Sequence, residues 1–294
     1  MERQISDSTV PARNAATFGP ALRRGRLTIS AILIALLCQL CRSVQAADPT
    51  PVDLVFTADC DETEQRYVQL LPDAFDGTKP HDVLIALHGH GSDRWQFVRD
   101  PRAECRAARD VARQHQMIYI SPDYRAKTSW MGPKAEADLV QIIAVLKKSH
   151  RIDRVFLTGG SMGGTGALTF AAIHPDLIAG VASMNGTANL LEYTQFQDAI
   201  QQSFGGTKGE IPEEYKRRSA EYWPERLTMP VATTTGGKDT LVPPESVERL
   251  AAILKLMDRQ VLLIRRADTG HETNYEDGVA ILEFVISHAK PVGK

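Results

Sequence analysis

The stretch that decides the fold is Val155-Phe156-Leu157-Thr158-Gly159-Gly160-Ser161-Met162-Gly163-Gly164. Its first four residues are apolar or β-branched, which is typical of a buried strand. Small residues continue beyond the glycines to Ile173, and His174-Pro175 ends the pattern, so a helix is predicted there. A strand that passes through a glycine-rich turn into a helix is a unit of folds in which helices pack on a parallel sheet.

Strands and helices alternate along the rest of the chain. Apolar runs predict strands over residues 83–87, 117–120, 178–184, 231–235 and 261–264. Composition or spacing predicts helices over residues 102–115, 139–146, 245–257 and 276–287. Two earlier strands, near Leu54 and over residues 67–71, are predicted to form an antiparallel hairpin at the sheet edge. The pattern therefore predicts an α/β fold with a mostly parallel central sheet and helices on both faces.

The glycine-rich turn also carries a chemical motif. Gly159-Gly160-Ser161-Met162-Gly163 matches G-x-S-x-G, in which the serine lies on a strained strand-to-helix turn and acts as a nucleophile. The positions two residues away must lack side chains for such a turn to fit. The helix N-terminus that follows stabilises a developing oxyanion. Ser161 is the predicted nucleophile, although a plain glycine-rich turn fits the motif taken alone.

A serine nucleophile needs a base and an acid, which follow it along the chain in the order Ser, Asp, His on this type of fold. Asp239 comes just after the predicted strand 231–235, at the carboxyl end where sites of open α/β sheets lie. His271 lies in the loop after the last strand and is the predicted general base. Asp268 is the second candidate for the acid, but it is very close to His271 in sequence. Other histidines at or near predicted helix ends are expected to be structural: His115, His150, His174 and His288.

The loop His88-Gly89-His90-Gly91-Ser92 follows the predicted strand 83–87. A second oxyanion donor comes from this position of the fold, so the N–H of His90 is expected to act with the N–H of Met162. Gly91 is the alternative if the loop is shifted by one residue. A competing interpretation makes His88 and His90 metal ligands, but a third ligand at a fixed spacing is missing, so no metal is predicted.

Taken together, these residues resemble serine esterases of the α/β-hydrolase fold in the esterase and prolyl-oligopeptidase-like group, near the feruloyl and acetyl-xylan esterases. The resemblance spans about residues 80 to 290. The motifs that carry it are His88-Gly89-His90-Gly91, Trp130-Met131-Gly132, Gly159-Gly160-Ser161-Met162-Gly163-Gly164, Gly237-Lys238-Asp239 and Gly270-His271.

The resemblance implies an acyl-enzyme on Ser161 that water releases, without a cofactor. It favours a carboxylic-ester hydrolase, because true prolyl oligopeptidases carry a large propeller domain before the hydrolase domain and this chain has no room for one. A serine peptidase of the same type and a non-catalytic binding module on the same fold are the alternatives. The expected substrate is a small-molecule or polysaccharide-linked ester.

Residues 187–227 interrupt the alternation of strands and helices. They are polar and contain Gly205-Gly206, Pro212 and Pro224, which predicts a small cap over the active site. Trp130 and Trp223 either line a substrate pocket or serve only in packing. These features leave the acyl and alcohol parts of the substrate open.

Charge and acidic side chains give little sign of other partners. The formal net charge of −2 offers no basic face for nucleic acid. The acidic residues between the first two strands are predicted to form a solvated turn, and a calcium site there would lack its glycine pivot. These residues are Asp59, Asp61, Glu62 and Glu64. The oligomeric state is not predicted.

Residues 1–46 have the pattern of a secretory signal. Arg23, Arg24 and Arg26 precede an uncharged, mostly apolar run over residues 27–40, and small residues follow at Val44-Gln45-Ala46-Ala47. Cleavage after Ala46 is predicted to leave an exported domain, residues 47–294, without stable membrane insertion. An uncleaved N-terminal anchor is the alternative.

Two cysteines belong to the predicted mature domain, Cys60 and Cys105. An exported protein with an even number of cysteines allows one disulfide. Two unpaired thiols fit the sequence equally well, because the distance between the side chains is not encoded in their spacing.

Overall fold

The computed structural model describes residues 50–290, which contain a sheet of eight strands flanked by helices. The predicted signal, residues 1–46, lies outside this range. The strands are β1 (Val52–Thr57), β2 (Glu64–Leu70), β3 (His81–Leu87), β4 (Ile118–Pro122), β5 (Ile152–Gly160), β6 (Gly180–Met184), β7 (Val231–Gly236) and β8 (Val261–Arg266). The helices are α1 (Gln96–Arg99), α2 (Ala103–Gln114), α3 (Pro133–Ser149), α4 (Met162–Ile173), α5 (Gln197–Phe204), α6 (Pro212–Arg217), α7 (Glu245–Leu256) and α8 (Tyr275–His288).

The strand order is β1-β2-β4-β3-β5-β6-β7-β8. β1 and β2 form an antiparallel hairpin at one edge, and β2 pairs antiparallel with β4. The remaining neighbours are parallel, with Leu87 at the end of β3 opposite Gly159 near the end of β5. The predicted edge hairpin and the mostly parallel sheet are confirmed.

The central strands are buried on both faces, which explains their continuous apolar sequence. Along β3, Val83, Ile85 and Leu87 pack on one side of the sheet with α3, α4 and α7. Leu84 and Ala86 point to the other side and pack with α2 and α8. Successive side chains of a strand alternate between faces, so a wholly apolar strand requires helices on both faces.

Residues 187–227, the predicted cap, contain α5, α6 and two short 3-10 turns. The segment is attached to the core through Glu136 of α3, whose carboxylate accepts bonds from Arg217 at 2.8 Å, from Arg218 at 2.8 Å and from His174 at 2.9 Å. Burial raises the pKa of Glu136, but the bonds from His174 and Arg217 and the charge of Arg218 outweigh burial and bring it to about 2. An ionised Glu136 therefore fixes this segment to α3.

The acidic turn differs in part from the prediction. Asp59, Glu62 and Glu64 are exposed, as expected for a solvated turn. Asp61 instead accepts bonds from Arg125 at 2.8 Å and pairs with Lys134 at 3.0 Å, and these contacts lower its pKa. The sequence missed this role because Arg125 lies 64 positions away along the chain.

The two cysteines of residues 50–290 are unpaired in the structure. Cys60 is exposed and Cys105 is buried in α2. Of the two arrangements that the sequence allowed, the structure has the one with free thiols. None of the helices within residues 50–290 is long and apolar enough to cross a membrane.

Candidate active site

Ser161 lies between β5 and α4 in a strained backbone conformation, with φ 57° and ψ −119°. A positive φ is unfavourable for a residue with a side chain and is often found at functional sites. The glycines on either side make room for the turn. A Cβ on Gly159 would lie 2.6 Å from the carbonyl carbon of Gly163, and a Cβ on Gly163 would overlap the carbonyl oxygen of Leu87. The G-x-S-x-G spacing is therefore imposed by close packing against the end of β3.

The backbone around Ser161 is fixed by hydrogen bonds, whereas its hydroxyl is free. Its N–H donates to the carbonyl of Met184 at 2.8 Å, and its carbonyl accepts from Thr165 N–H at 2.9 Å. Within residues 50–290, the hydroxyl has no hydrogen-bond partner. Met162 is the first residue of α4, where N–H groups have no partner inside the helix. The turn thus presents a free hydroxyl beside a free N–H group.

The loop after β3 provides a second free N–H group. Gly89 N–H donates to Gln96 Oε1 at 2.6 Å, Gly91 N–H to the carbonyl of Lys127 at 2.8 Å, and Ser92 N–H to the carbonyl of Gly89 at 3.2 Å. Within residues 89–92, only the N–H of His90 has no acceptor among the described residues. Of the two sequence candidates, His90 has the available donor, since that of Gly91 is occupied.

His271 and Asp239 are joined although 32 positions separate them. Nδ1 of His271 lies 2.7 Å from Oδ2 of Asp239. The other oxygen of Asp239, Oδ1, accepts from the N–H groups of Leu241 at 3.0 Å and Val242 at 2.9 Å. The Asp239 side chain is 1% exposed, so the loop holds the carboxylate in one orientation. Nδ1 of His271 donates to it, which leaves Nε2 as a base.

Asp268, the second candidate for the acid, lies away from the histidine. Its side chain is 89% exposed and pairs with Lys238 at 2.9 Å. It therefore has no part in orienting His271.

Ser161 and His271 line one cavity of about 310 Å³, together with His90, Phe196 and Leu241. A second cavity of about 420 Å³ shares His271 with the first and has a polar lining that includes Arg102 and Glu104. Asp239 lies behind His271. The structure thus brings all five predicted site residues into one region, with Ser161, His90 and His271 at the cavity surface.

Phe196 is a site residue that the sequence did not identify. It belongs to the segment 187–227, precedes α5 with φ 54°, and its ring centroid lies 4.3 Å from that of His90. The sequence signal that could have identified Phe196 is its position as an aromatic residue within the predicted cap. Trp130 and Trp223 do not line the cavity: Trp130 is fully buried behind His90, and Trp223 donates to the carbonyl of Lys216 at 3.0 Å.

The remaining histidines occupy other places. The ring nitrogens of the buried His88 lie 2.8 Å from the carbonyl oxygen of Gly89 and 3.0 Å from that of Asp123, and burial lowers the pKa of His88. The described residues contain no group of three His, Cys, Asp or Glu side chains that could hold a metal ion. Three histidines follow the last residue of a helix and one is the last residue of a helix, in agreement with their predicted places at or near helix ends: His115, His150, His174 and His288.

The sequence is similar to those of known proteins. Residues 124–289 match the prolyl oligopeptidase family. The chain is 24% identical over 127 residues to feruloyl esterase C of Emericella nidulans, covering 42% of this chain and 46% of that protein, so it spans less than half of that relative.

Solved structures give the same fold. An acylaminoacyl peptidase of Pyrococcus horikoshii superposes with a TM-score of 0.65 at 14% identity, over 88% of this chain and 44% of the peptidase. A ferulic acid esterase superposes with a TM-score of 0.63 at 16% identity, over 82% of this chain and 98% of the esterase. Since the family match covers more than half of the sequence, this chain belongs to the prolyl oligopeptidase family of serine hydrolases, with the α/β-hydrolase fold.

Proposed function

We propose that this serine hydrolase cleaves carboxylic esters through an acyl-enzyme on Ser161, with His271 as the general base and Asp239 as the acid that orients it. The observation that carries the proposal is the meeting of three groups at one cavity. These are the strained Ser161, the imidazole fixed by Asp239, and the unpaired N–H group of His90, and the N–H of Met162 follows Ser161 directly at the start of α4.

The reaction follows from these positions. Nε2 of His271 takes the proton of the Ser161 hydroxyl while Oγ forms a bond to the ester carbonyl carbon. The carbonyl oxygen becomes negative and accepts hydrogen bonds from the N–H groups of His90 and Met162. Protonated His271 then gives its proton to the alcohol oxygen as the carbon–oxygen bond breaks. Asp239 stabilises the imidazolium that exists between these steps.

Water completes the cycle by the same groups. His271 takes a proton from the water as its oxygen bonds to the acyl carbon, and the proton returns to Oγ of Ser161 when the acid leaves. Every proton lost by a nucleophile is thus carried by Nε2 to a leaving group. The Ser161 hydroxyl makes no hydrogen bond within residues 50–290. This is compatible with its role, because catalytic hydrogen bonds often form or shorten only when substrate is bound.

Two findings support an ester as the substrate. The relative with 24% identity is a feruloyl esterase, and the fold superposes on nearly the whole of a ferulic acid esterase. The ring of Phe196 beside His90 at the cavity offers an aromatic surface for a flat acyl group. We propose a small or polysaccharide-linked ester, and we propose that residues 1–46 direct the protein to export.

Turnover of p-nitrophenyl acetate and methyl ferulate by the purified protein tests the proposal. Ser161→Ala is expected to abolish turnover. A fluorophosphonate probe is expected to label Ser161 and to leave Ser92, which lines the same cavity, unmodified. Labelling of Ser92 would contradict the assignment of the nucleophile. Turnover of an aminoacyl p-nitroanilide without turnover of esters would identify a peptidase, and absence of both in folded protein would favour a binding module.

Export has its own test. The N-terminus of protein recovered outside the cytoplasm is expected to be Ala47. Recovery of a chain that still begins at Met1 would favour an uncleaved anchor.

A further inference from the structure

The side chain of His90 lies between two aromatic rings at the wall of the cavity. Its ring centroid is 4.3 Å from that of Phe196 and 6.0 Å from that of Trp130. Trp130 is fully buried, and its own ring lies 5.4 Å from that of Tyr193. Since His90 lines the same cavity as Ser161, these contacts hold the imidazole beside the place where an ester would react.

A hydrogen bond from Trp130 decides where the proton of His90 lies. Nε1 of Trp130 is 3.2 Å from Nδ1 of His90. An indole N–H only donates, so Nδ1 must be the unprotonated nitrogen, and the proton of the neutral ring is on Nε2. Burial also lowers the pKa of His90, which favours the neutral ring. In the described part of the chain, no group accepts a hydrogen bond from Nε2.

The backbone that carries Trp130 is held in an unfavourable conformation. Trp130 has φ 44° and Met131 has φ 55°. The fully buried Arg218 donates from Nη1 to the carbonyl of Met131 at 2.5 Å and so fixes this segment. Strained residues persist where their surroundings determine them, and they cluster at ligand sites. The strain at Trp130 is therefore maintained from outside the cavity.

We propose that the side chain of His90 donates a hydrogen bond from Nε2 to the ester group of the substrate, and that Trp130 is a positioning residue that fixes this tautomer. The inference rests on the proposed function and adds a side-chain donor to the main-chain donor of the same residue. An ester group has only acceptors, at its carbonyl and bridging oxygens. The tautomer with a lone pair on Nε2 would oppose them, so the bond from Trp130 makes His90 complementary to an ester.

A double-mutant cycle separates this role from packing. His90→Leu removes the side-chain donor and keeps the main-chain N–H, and Trp130→Phe removes the indole donor and keeps an aromatic ring. Each is expected to lower kcat/KM for p-nitrophenyl acetate about five- to tenfold, as loss of one neutral hydrogen bond would. In the His90→Leu background, Trp130→Phe is expected to cost less than twofold, because its effect passes through His90. An equal cost in both backgrounds would overturn the proposal.

The tautomer is measured directly in the unmutated protein, so this test depends neither on turnover nor on the folding of a variant. Nitrogen NMR of protein labelled at its 8 histidines distinguishes a protonated from an unprotonated ring nitrogen. The signals of His90 are identified by their loss in His90→Leu. We expect a proton on Nε2 in the unmutated protein and a mixture of tautomers in Trp130→Phe. A proton on Nδ1 of the unmutated protein would refute the inference even if Ser161→Ala shows that the protein is an esterase.

Discussion

Replacement of Asp239 by Asn tests the proposed triad most sharply, because the structure determines how the new amide would point. Oδ1 of Asp239 accepts from the N–H groups of Leu241 and Val242, so the Asn oxygen must take that side. The NH₂ group would then face Nδ1 of His271, where Oδ2 now lies at 2.7 Å. An NH₂ group only donates, so Nδ1 would have to accept and the ring proton would move to Nε2.

That change removes the base without removing the side chain. Nε2 would carry a proton and could no longer take one from Ser161. The same Asp-to-Asn change in a comparable Ser-His-Asp triad lowers kcat by about 10⁴, which corresponds to about 5.5 kcal/mol of transition-state stabilisation. We expect a loss of this order in kcat for methyl ferulate. Thermal stability should be nearly unchanged, because Asn has almost the same volume as Asp and keeps the two hydrogen bonds from Leu241 and Val242.

The matched control is Asp268→Asn. Asp268 is the other candidate for the acid. Its side chain is exposed and paired with Lys238, so less than a twofold change in kcat is expected. A loss of under about tenfold in Asp239→Asn, or an equal loss in the control, would refute the argument from tautomers.

Three further predictions concern stability and reactivity. Gly163→Ala is expected to prevent the turn at the nucleophile from forming, since the new Cβ would overlap the carbonyl of Leu87. In Gly270→Ala the new Cβ would meet no atom within 4 Å, so the melting temperature measured by circular dichroism should be nearly unchanged. Glu136→Gln is expected to destabilise the fold by about 3 kcal/mol at pH 7, because the fold lowers the pKa of Glu136 from 4.5 to about 2. The ionised carboxylate contributes this stability above pH 4.5, and the contribution is lost as the pH falls to the pKa of the folded state, so denaturant titrations should show the difference between the two proteins shrinking between about pH 4.5 and pH 2. A difference that stays constant over this range would contradict the prediction. Iodoacetamide at pH 8 is expected to modify the exposed Cys60 and spare Cys105, whose pKa burial raises to about 12; mass spectrometry of the native protein that finds both thiols modified would count against this.

The sequence predicted what local patterns determine. A wholly apolar strand such as β3 indicates burial on two faces, and the spacing of Gly159, Ser161 and Gly163 follows from a turn with no room for Cβ atoms. The chain order of nucleophile, acid and base reflects the order of strands in the sheet. These features require no knowledge of distances between remote residues.

Choices that depend on remote partners were left open by the sequence. The sequence allows either Asp239 or Asp268 as the acid, and the contact of 2.7 Å between Asp239 and His271 identifies Asp239. The sequence allows both His90 and Gly91 as donors, and the carbonyl of Lys127 decides between them because it accepts from the N–H of Gly91. In each case the deciding atom belongs to a segment that folds against the site from elsewhere in the chain.

Backbone strain around the cavity has the same origin. Ser161, Trp130, Met131 and Phe196 all have positive φ angles, and each such residue costs on the order of 1–3 kcal/mol. Their restraints come from other elements. The carbonyl of Met184 holds Ser161, and Arg218 holds Met131. Because the same Arg218 is tied to Glu136 at 2.8 Å, the ion pair that attaches the segment 187–227 also supports the backbone next to Trp130. Loss of Glu136 should therefore weaken both the attachment of that segment and the placement of the Trp130 indole beside His90.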